Sequence, residues 1–134
     1  LTDDLVYHVP IRQARLGYAD EFPAGAYRIC DSKSHIETRI KRLECGAAWS
    51  ETPPSRTLRV VGSVIVTPTD AADVIAVESA VILYRQRGHD DRGDVIPIRR
   101  EDQLLLTADG PRLKKRIALI SEAVLTTPNL GVFV

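Results

Sequence analysis

After Pro54 the sequence offers almost nothing but β-strand. Thr57 to Thr67, Asp73 to Arg87, Val95 to Thr107 and Arg112 to Leu125 are four runs rich in Val, Ile and Leu. Each is far longer than the five or six residues of an ordinary strand. Pro68-Thr69-Asp70, the polar stretch from Gly88 to Asp94 and the hairpin dipeptide Asp109-Gly110 separate them, which predicts an antiparallel meander. Strands this long must twist and coil, and Gly62 stands where a bulge or bend would relieve them. In the second run Val74, Ala76, Ala80, Ile82 and Tyr84 share one face while Ile75, Val77, Val81 and Leu83 share the other. A sheet apolar on both sides is covered on both sides.

The rest of the chain has too little material to supply two covers. Asp4 to Val9 reads as a short strand stopped by Pro10, and residues 11–29 as a loop with at most one short strand. Asp31 to Ala48 reads as a helix of about four turns, with Ser34 and Glu37 at capping-box spacing and Ile36, Ile40, Leu43 and Ala47 on one apolar stripe. Pro53-Pro54 ends any continuation. That single helix can cover one face of the sheet; the other is expected to meet another chain. The chain opens on Leu1, contains no Met, and enters strand almost at once, so a segment before Leu1 is expected to be missing.

Size and charge narrow the function. The 134 residues, 44% of them hydrophobic, amount to one domain spanning residues 1–134. Eighteen Lys+Arg balance eighteen Asp+Glu, which leaves no cationic excess for nucleic acid. No apolar run approaches the roughly 18 residues of a membrane span. Two cysteines, Cys30 and Cys45, suit a reducing cytoplasm better than a disulfide scaffold.

Chemistry is sparse. His8, His35 and His89 have no second His or Cys at ligand spacing, so no metal site is expected. No nucleophile elbow or Gly-rich phosphate loop occurs. A cone-like sheet can host a His working as acid or base, but no titratable partner stands at a telling distance. The arginines are more suggestive: Arg39 and Arg42, Arg56 and Arg59, Arg85, Arg87, Arg99, Arg100 and Arg116. With Glu101 and Asp102 they can form bidentate pairs that fix strand register or an interface. A solvated face is the competing account, and both stay open.

The stretch from Arg39 through Ala48-Trp49-Ser50-Glu51-Thr52-Pro53-Pro54-Ser55-Arg56 resembles the β (small) subunit of bacterial aromatic-ring-hydroxylating dioxygenases. Asp3 to Pro10 looks like that family's first strand, Tyr84-Arg85 with Arg87 like the end of a central strand, and Arg100 with Asp102 and Leu104 like its closing hairpin. Asn129 to Phe133 looks like its tail. The resemblance implies an α+β, cone-shaped fold of the nuclear-transport-factor-2-like (cystatin-like) kind, with N-terminal helices ahead of the first strand. It implies a non-catalytic assembly subunit in aromatic catabolism. No cofactor is expected in this chain; the Rieske iron–sulfur cluster and non-haem iron are expected in a partner α subunit. A homotrimer through the sheet within an α3β3 hexamer is the expected assembly. Arg39, Trp49, Arg56, Arg85, Arg100 and Asp102 are the candidate interface and structural residues, with Trp49 expected to anchor the helix end against the sheet. The alternative is a stand-alone dehydratase or isomerase using the cone cavity. Such an enzyme should show a polar pocket with a His–Asp or Tyr–Asp pair, whereas a subunit should show an apolar or arginine-plugged cone.

Overall fold

The computed structural model describes residues 1–14, 21–127 and 129–134. Its elements are β1 (Val6–Pro10), β2 (Tyr27–Asp31), α1 (Lys33–Glu44), a 3-10 turn (Trp49–Glu51), β3 (Arg56–Pro68), β4 (Val74–Gln86), β5 (Asp94–Thr107) and β6 (Gly110–Ile120). The short strand expected within residues 11–29 is therefore β2; residues 15–20 of that stretch lie outside the described ones.

All six strands form one sheet in the order β2-β1-β6-β5-β4-β3. The expected meander accounts for β3 to β6. β1 then adds to β6 in parallel, Tyr7 opposite Arg116, and β2 pairs antiparallel outside it. The β3–β4 register shifts between Gly62 and Ile65, so the bend falls where Gly62 predicts it. The residue with positive φ there is its neighbour Ser63, at 49°. β6 ends at Ile120, five residues short of the expected Leu125. The β5 residue next along the ladder is Pro97; its carbonyl accepts from the Ser121 N–H, but it has no N–H to return.

The two faces of the sheet have different fates. On the inner face Ser79, Val81, Leu83 and Arg85 of β4, Ile96 and Ile98 of β5, and Ala118 and Ile120 of β6 are buried, joined by Leu5, Tyr7 and Val9. Their cover is mostly the C-terminal segment rather than the helix. Leu125, Leu130, Val132 and Phe133 pack on this core and Val134 is completely buried. The Tyr7 hydroxyl donates to the Val134 carbonyl at 2.6 Å and accepts from its N–H at 2.9 Å.

The helix differs from expectation at both ends and along its stripe. Its N-cap is Ser32, not Ser34, and the Ser32 N–H donates to the imidazole Nδ1 of His35 at 3.2 Å. His35 thus takes the place expected of Glu37. Gly46, at φ 73°, turns the chain away past Glu44. Of the stripe only Ile36 is buried; Ile40 and Leu43 stay about 40% exposed. The core beneath is covered instead by Leu130, Val132 and Phe133, and an open cleft of about 240 Å³ separates Leu43 and Arg39 from Leu130 and Gly131.

Toward β6 and β1 the outer face is flanked by Phe22, Pro23 and Ala24, which line a cleft with Glu101, Ile117 and Leu119, but its β3–β4 side has no cover among the described residues. Leu58, Val60 and Ile65 of β3, Ile82 and Tyr84 of β4, and Val95 of β5 all point to solvent, with Leu58 and Val60 about 60% exposed. Every residue of β3 is exposed.

Candidate functional site

The inner face ends, toward the β4–β5 loop, in a buried ionic cluster. Arg85 continues the inward-facing series of Val81 and Leu83, and its side chain is wholly inaccessible. It forms an ion pair with Glu51, itself buried, and donates to Ser55 Oγ at 3.1 Å, Thr127 Oγ1 at 2.8 Å, and the carbonyl and Oδ1 of Asn129 at 2.6 and 2.9 Å. One guanidinium therefore ties the 3-10 turn, the approach to β3 and the C-terminal segment to the sheet. The fit is close at Gly131, where a Cβ would stand 2.5 Å from Glu51 Oε1. A buried charge of this kind is tolerable only with complete hydrogen bonding, which this geometry supplies.

A second pair lies further along the same face. Asp102 stands opposite Arg116 in the β5–β6 register, and the two join bidentately, Nε to Oδ1 at 2.8 Å and Nη2 to Oδ2 at 2.6 Å. Burial acts to lower the Arg116 pKa, yet the Asp102 hydrogen bonds and charge hold it above its ordinary value. Arg100, half-buried beside this pair, is lowered by burial and then by the Arg116 charge, and its Nε is buried without a hydrogen-bond partner.

Arg39 on α1 donates to Asp31 Oδ2 at 2.8 Å and to the Leu130 carbonyl at 2.9 Å, with its guanidinium 5.0 Å from the Phe133 ring centroid. Arg59 reaches the Phe133 carbonyl at 2.6 Å. The tail is thus held by a succession of arginines on its carbonyls. Burial raises the Tyr7 pKa above 10.0, with the Val134 hydrogen bond opposing the shift.

Two candidate residues lie elsewhere. Trp49 is 84% exposed, which corrects the expectation that it anchors the helix end. The 3-10 turn that carries it instead turns Glu51 inward to Arg85, and Trp49 faces out as a consequence. Arg56, at the start of β3, is exposed and makes no side-chain hydrogen bond or ion pair among the described residues. The sequence reading missed Glu51, Thr127 and Asn129, although Glu51 lies inside the Trp49–Arg56 stretch.

No His–carboxylate hydrogen bond occurs among the described residues. His35 caps α1, and His8 lies 3.3 Å from Cys30 Sγ on the outer face. Nor do any three of His, Cys, Asp and Glu converge as metal ligands there. What the interior of the cone does contain is arginine and carboxylate, bound to each other and to main chain. This arrangement stiffens the fold and engages Arg85, Asp102 and Arg116, while the Arg100 Nε stays without a partner.

A family model described as the ring hydroxylating beta subunit matches residues 1–127. The chain belongs to this family. It is 45% identical over 133 residues to the N,N-dimethyl phenylurea N-demethylase subunit beta of Sphingobium sp. (strain YBL2), covering 99% of this chain and 76% of that one. A naphthalene 1,2-dioxygenase structure with indole bound in its active site has the same fold at a TM-score of 0.85 and 22% identity, over 100% of this chain and 71% of that one. The beta subunit of benzoate 1,2-dioxygenase from Burkholderia mallei matches at a TM-score of 0.68 and 15% identity, over 90% and 72% of the two chains. The α+β, nuclear-transport-factor-2-like fold expected of this β subunit is the fold observed.

Proposed function

We propose that the chain is the non-catalytic assembly subunit of an oxygenase that attacks aromatic compounds. It would trimerise through the outer sheet face and give α subunits a rigid base, in an α3β3 hexamer in the cytoplasm. The Rieske cluster and the catalytic iron would reside in the α subunit, and so would the choice between ring and N-methyl oxidation. The single observation that carries this reading is the uncovered outer face, where Leu58, Val60, Ile65, Ile82, Tyr84 and Val95 form one apolar surface. Contiguous exposed apolar surface beyond a few hundred Å² marks an interaction site on a soluble chain. The interior agrees in its chemistry. Arg85 and the Asp102–Arg116 pair are engaged in ion pairs, and the cavity of about 790 Å³ between β2, α1 and the C-terminal segment is lined by Arg28, Asp31, Arg39 and Arg42, with no His or Tyr among its described residues.

The candidate residues divide naturally. Arg39, Arg85, Arg100 and Asp102 serve the interior, while Trp49 and Arg56 are free to meet the α subunit. The test is the native mass of the chain purified alone and co-expressed with its α subunit. A trimer alone and a hexamer together support the reading; a monomer that never binds α overturns it. Arg56→Ala should reduce recovery of the hexamer in a pull-down, and unchanged yield counts against a role for Arg56 at that contact.

A further inference from the structure

The cavity of about 790 Å³ between β2, α1 and the C-terminal segment carries more positive charge than its own walls neutralise. Three guanidiniums line it, from Arg28, Arg39 and Arg42, against the single carboxylate of Asp31. Arg39 takes that carboxylate at 2.8 Å and also donates to the Leu130 carbonyl. Arg28, half-buried on β2, donates to the Ala123 carbonyl at 2.6 Å but forms no ion pair among the described residues, and its Nε is buried without a partner. Glu122, next to Ala123 in sequence, pairs with neither free arginine. Arg42 is exposed in the last turn of α1 and makes no side-chain hydrogen bond or ion pair among the described residues. A cation suits the carbonyl end of a helix, but the five N–H donors of this one stay unclaimed by the protein. Ile29, Val124, Leu125 and Leu130 add apolar wall to the same cavity.

We infer that this cavity binds an organic carboxylate with an apolar body, the carboxylate held by Arg28 and Arg42 and the body set against Ile29, Leu125 and Leu130. Its volume falls within the roughly 300–1,000 Å³ of small-molecule sites, which combine apolar wall with a few polar groups that fix orientation. A cleft lined by one sign of charge concentrates ions of the other. Guanidinium forks grip a carboxylate through two parallel hydrogen bonds, and flat apolar groups stack on their faces. The anion would offset the repulsion among guanidiniums that Asp31, already engaged by Arg39, leaves standing. The site is one of binding rather than reaction. It stands independently of the assembly reading, because every residue in it belongs to one chain.

Calorimetric titration of the full-length chain, purified alone, with naphthoate tests this. Naphthoate should bind, and naphthamide, of the same shape without the charge, should bind roughly tenfold or more weakly. Arg42→Gln removes no side-chain contact within the chain, so it should weaken naphthoate by about tenfold and leave the urea midpoint unchanged. Arg42→Lys should recover part of the loss, since it keeps the charge and gives up the fork. Arg28→Gln should act in the same direction, but it also strands the Ala123 carbonyl, which makes Arg42 the decisive position. An unaltered chain that binds no naphthoate overturns the inference. So does naphthoate binding Arg42→Gln as well as the unaltered chain, or naphthamide binding as well as naphthoate. A chain that ignores naphthoate, but whose Arg28→Gln/Arg42→Gln variant loses the α subunit in a pull-down, also overturns it and assigns the cavity to an acidic segment of that partner.

Discussion

At the scale of single residues the molecule depends most on Arg85. Its charge is tolerable inside the protein because Glu51 balances it and three further residues complete its hydrogen bonds. Removing one side of such a pair leaves the other charged and unsatisfied. Arg85→Met should therefore cost about 3–5 kcal/mol in urea unfolding, and Arg85→Met with Glu51→Leu should recover part of that loss. Tyr7 gives a pH-dependent counterpart. Its hydroxyl ionises above 10.0 in the folded chain, so the unfolded chain releases the proton first. The stabilisation is complete below the unfolded pKa and is lost as pH rises through the folded one. Unfolding should become easier above about pH 10, and Tyr7→Phe should flatten that limb while costing about 1–3 kcal/mol at neutral pH by stranding the Val134 N–H and C=O. Titrating denaturation midpoints from pH 8 to 11 checks both. The Asp102–Arg116 pair was only partly legible, although both residues stood out as candidates for bidentate pairing. Thr107 opposite Gly110 would set Asp102 against Lys115, and the register shift between Gln103 and Leu104 is what brings Arg116 face to face with it. Glu51 was not legible at all, since its partner lies 34 residues away and nothing local marks it as buried.

At the scale of elements, the long strands follow from local sequence and the helix does not. Runs of Val and Ile between turn signals specify β3 to β6 within a residue or two at most ends, because backbone preference and cross-strand packing agree there. The apolar stripe of α1 gives the right face and the wrong docking. Periodicity says which side chains share a side; it does not say that Leu125, Leu130, Val132 and Phe133 pack on the core in its stead. The difference is measurable. Ile36→Ala should cost about 2–4 kcal/mol by opening a cavity, whereas Ile40→Ala and Leu43→Ala should each cost less than about 1 kcal/mol in the isolated chain. Equal losses at all three positions in urea titrations would mean that the helix docks along its whole stripe.

At the scale of the whole molecule the question is what the uncovered face does to stability. β3 is an edge strand with every residue exposed, and Val60 stands opposite Ile82 on the outer side. In a monomer, Val60→Glu merely places a charge in water and should change stability by no more than about 0.5 kcal/mol. In a trimer the same carboxylate would be buried against a neighbour with no cation, which opposes association directly. Binding between folded copies stabilises them by mass action, so the unaltered chain should melt at higher temperature as its concentration rises. The Val60→Glu chain should melt at one temperature across a hundredfold dilution series, meeting the unaltered chain at the dilute end. Convergence there is the decisive feature, because it separates lost association from damage to the fold. Two parallel curves with a constant gap would place the effect inside the protomer and deny the outer face its role in assembly.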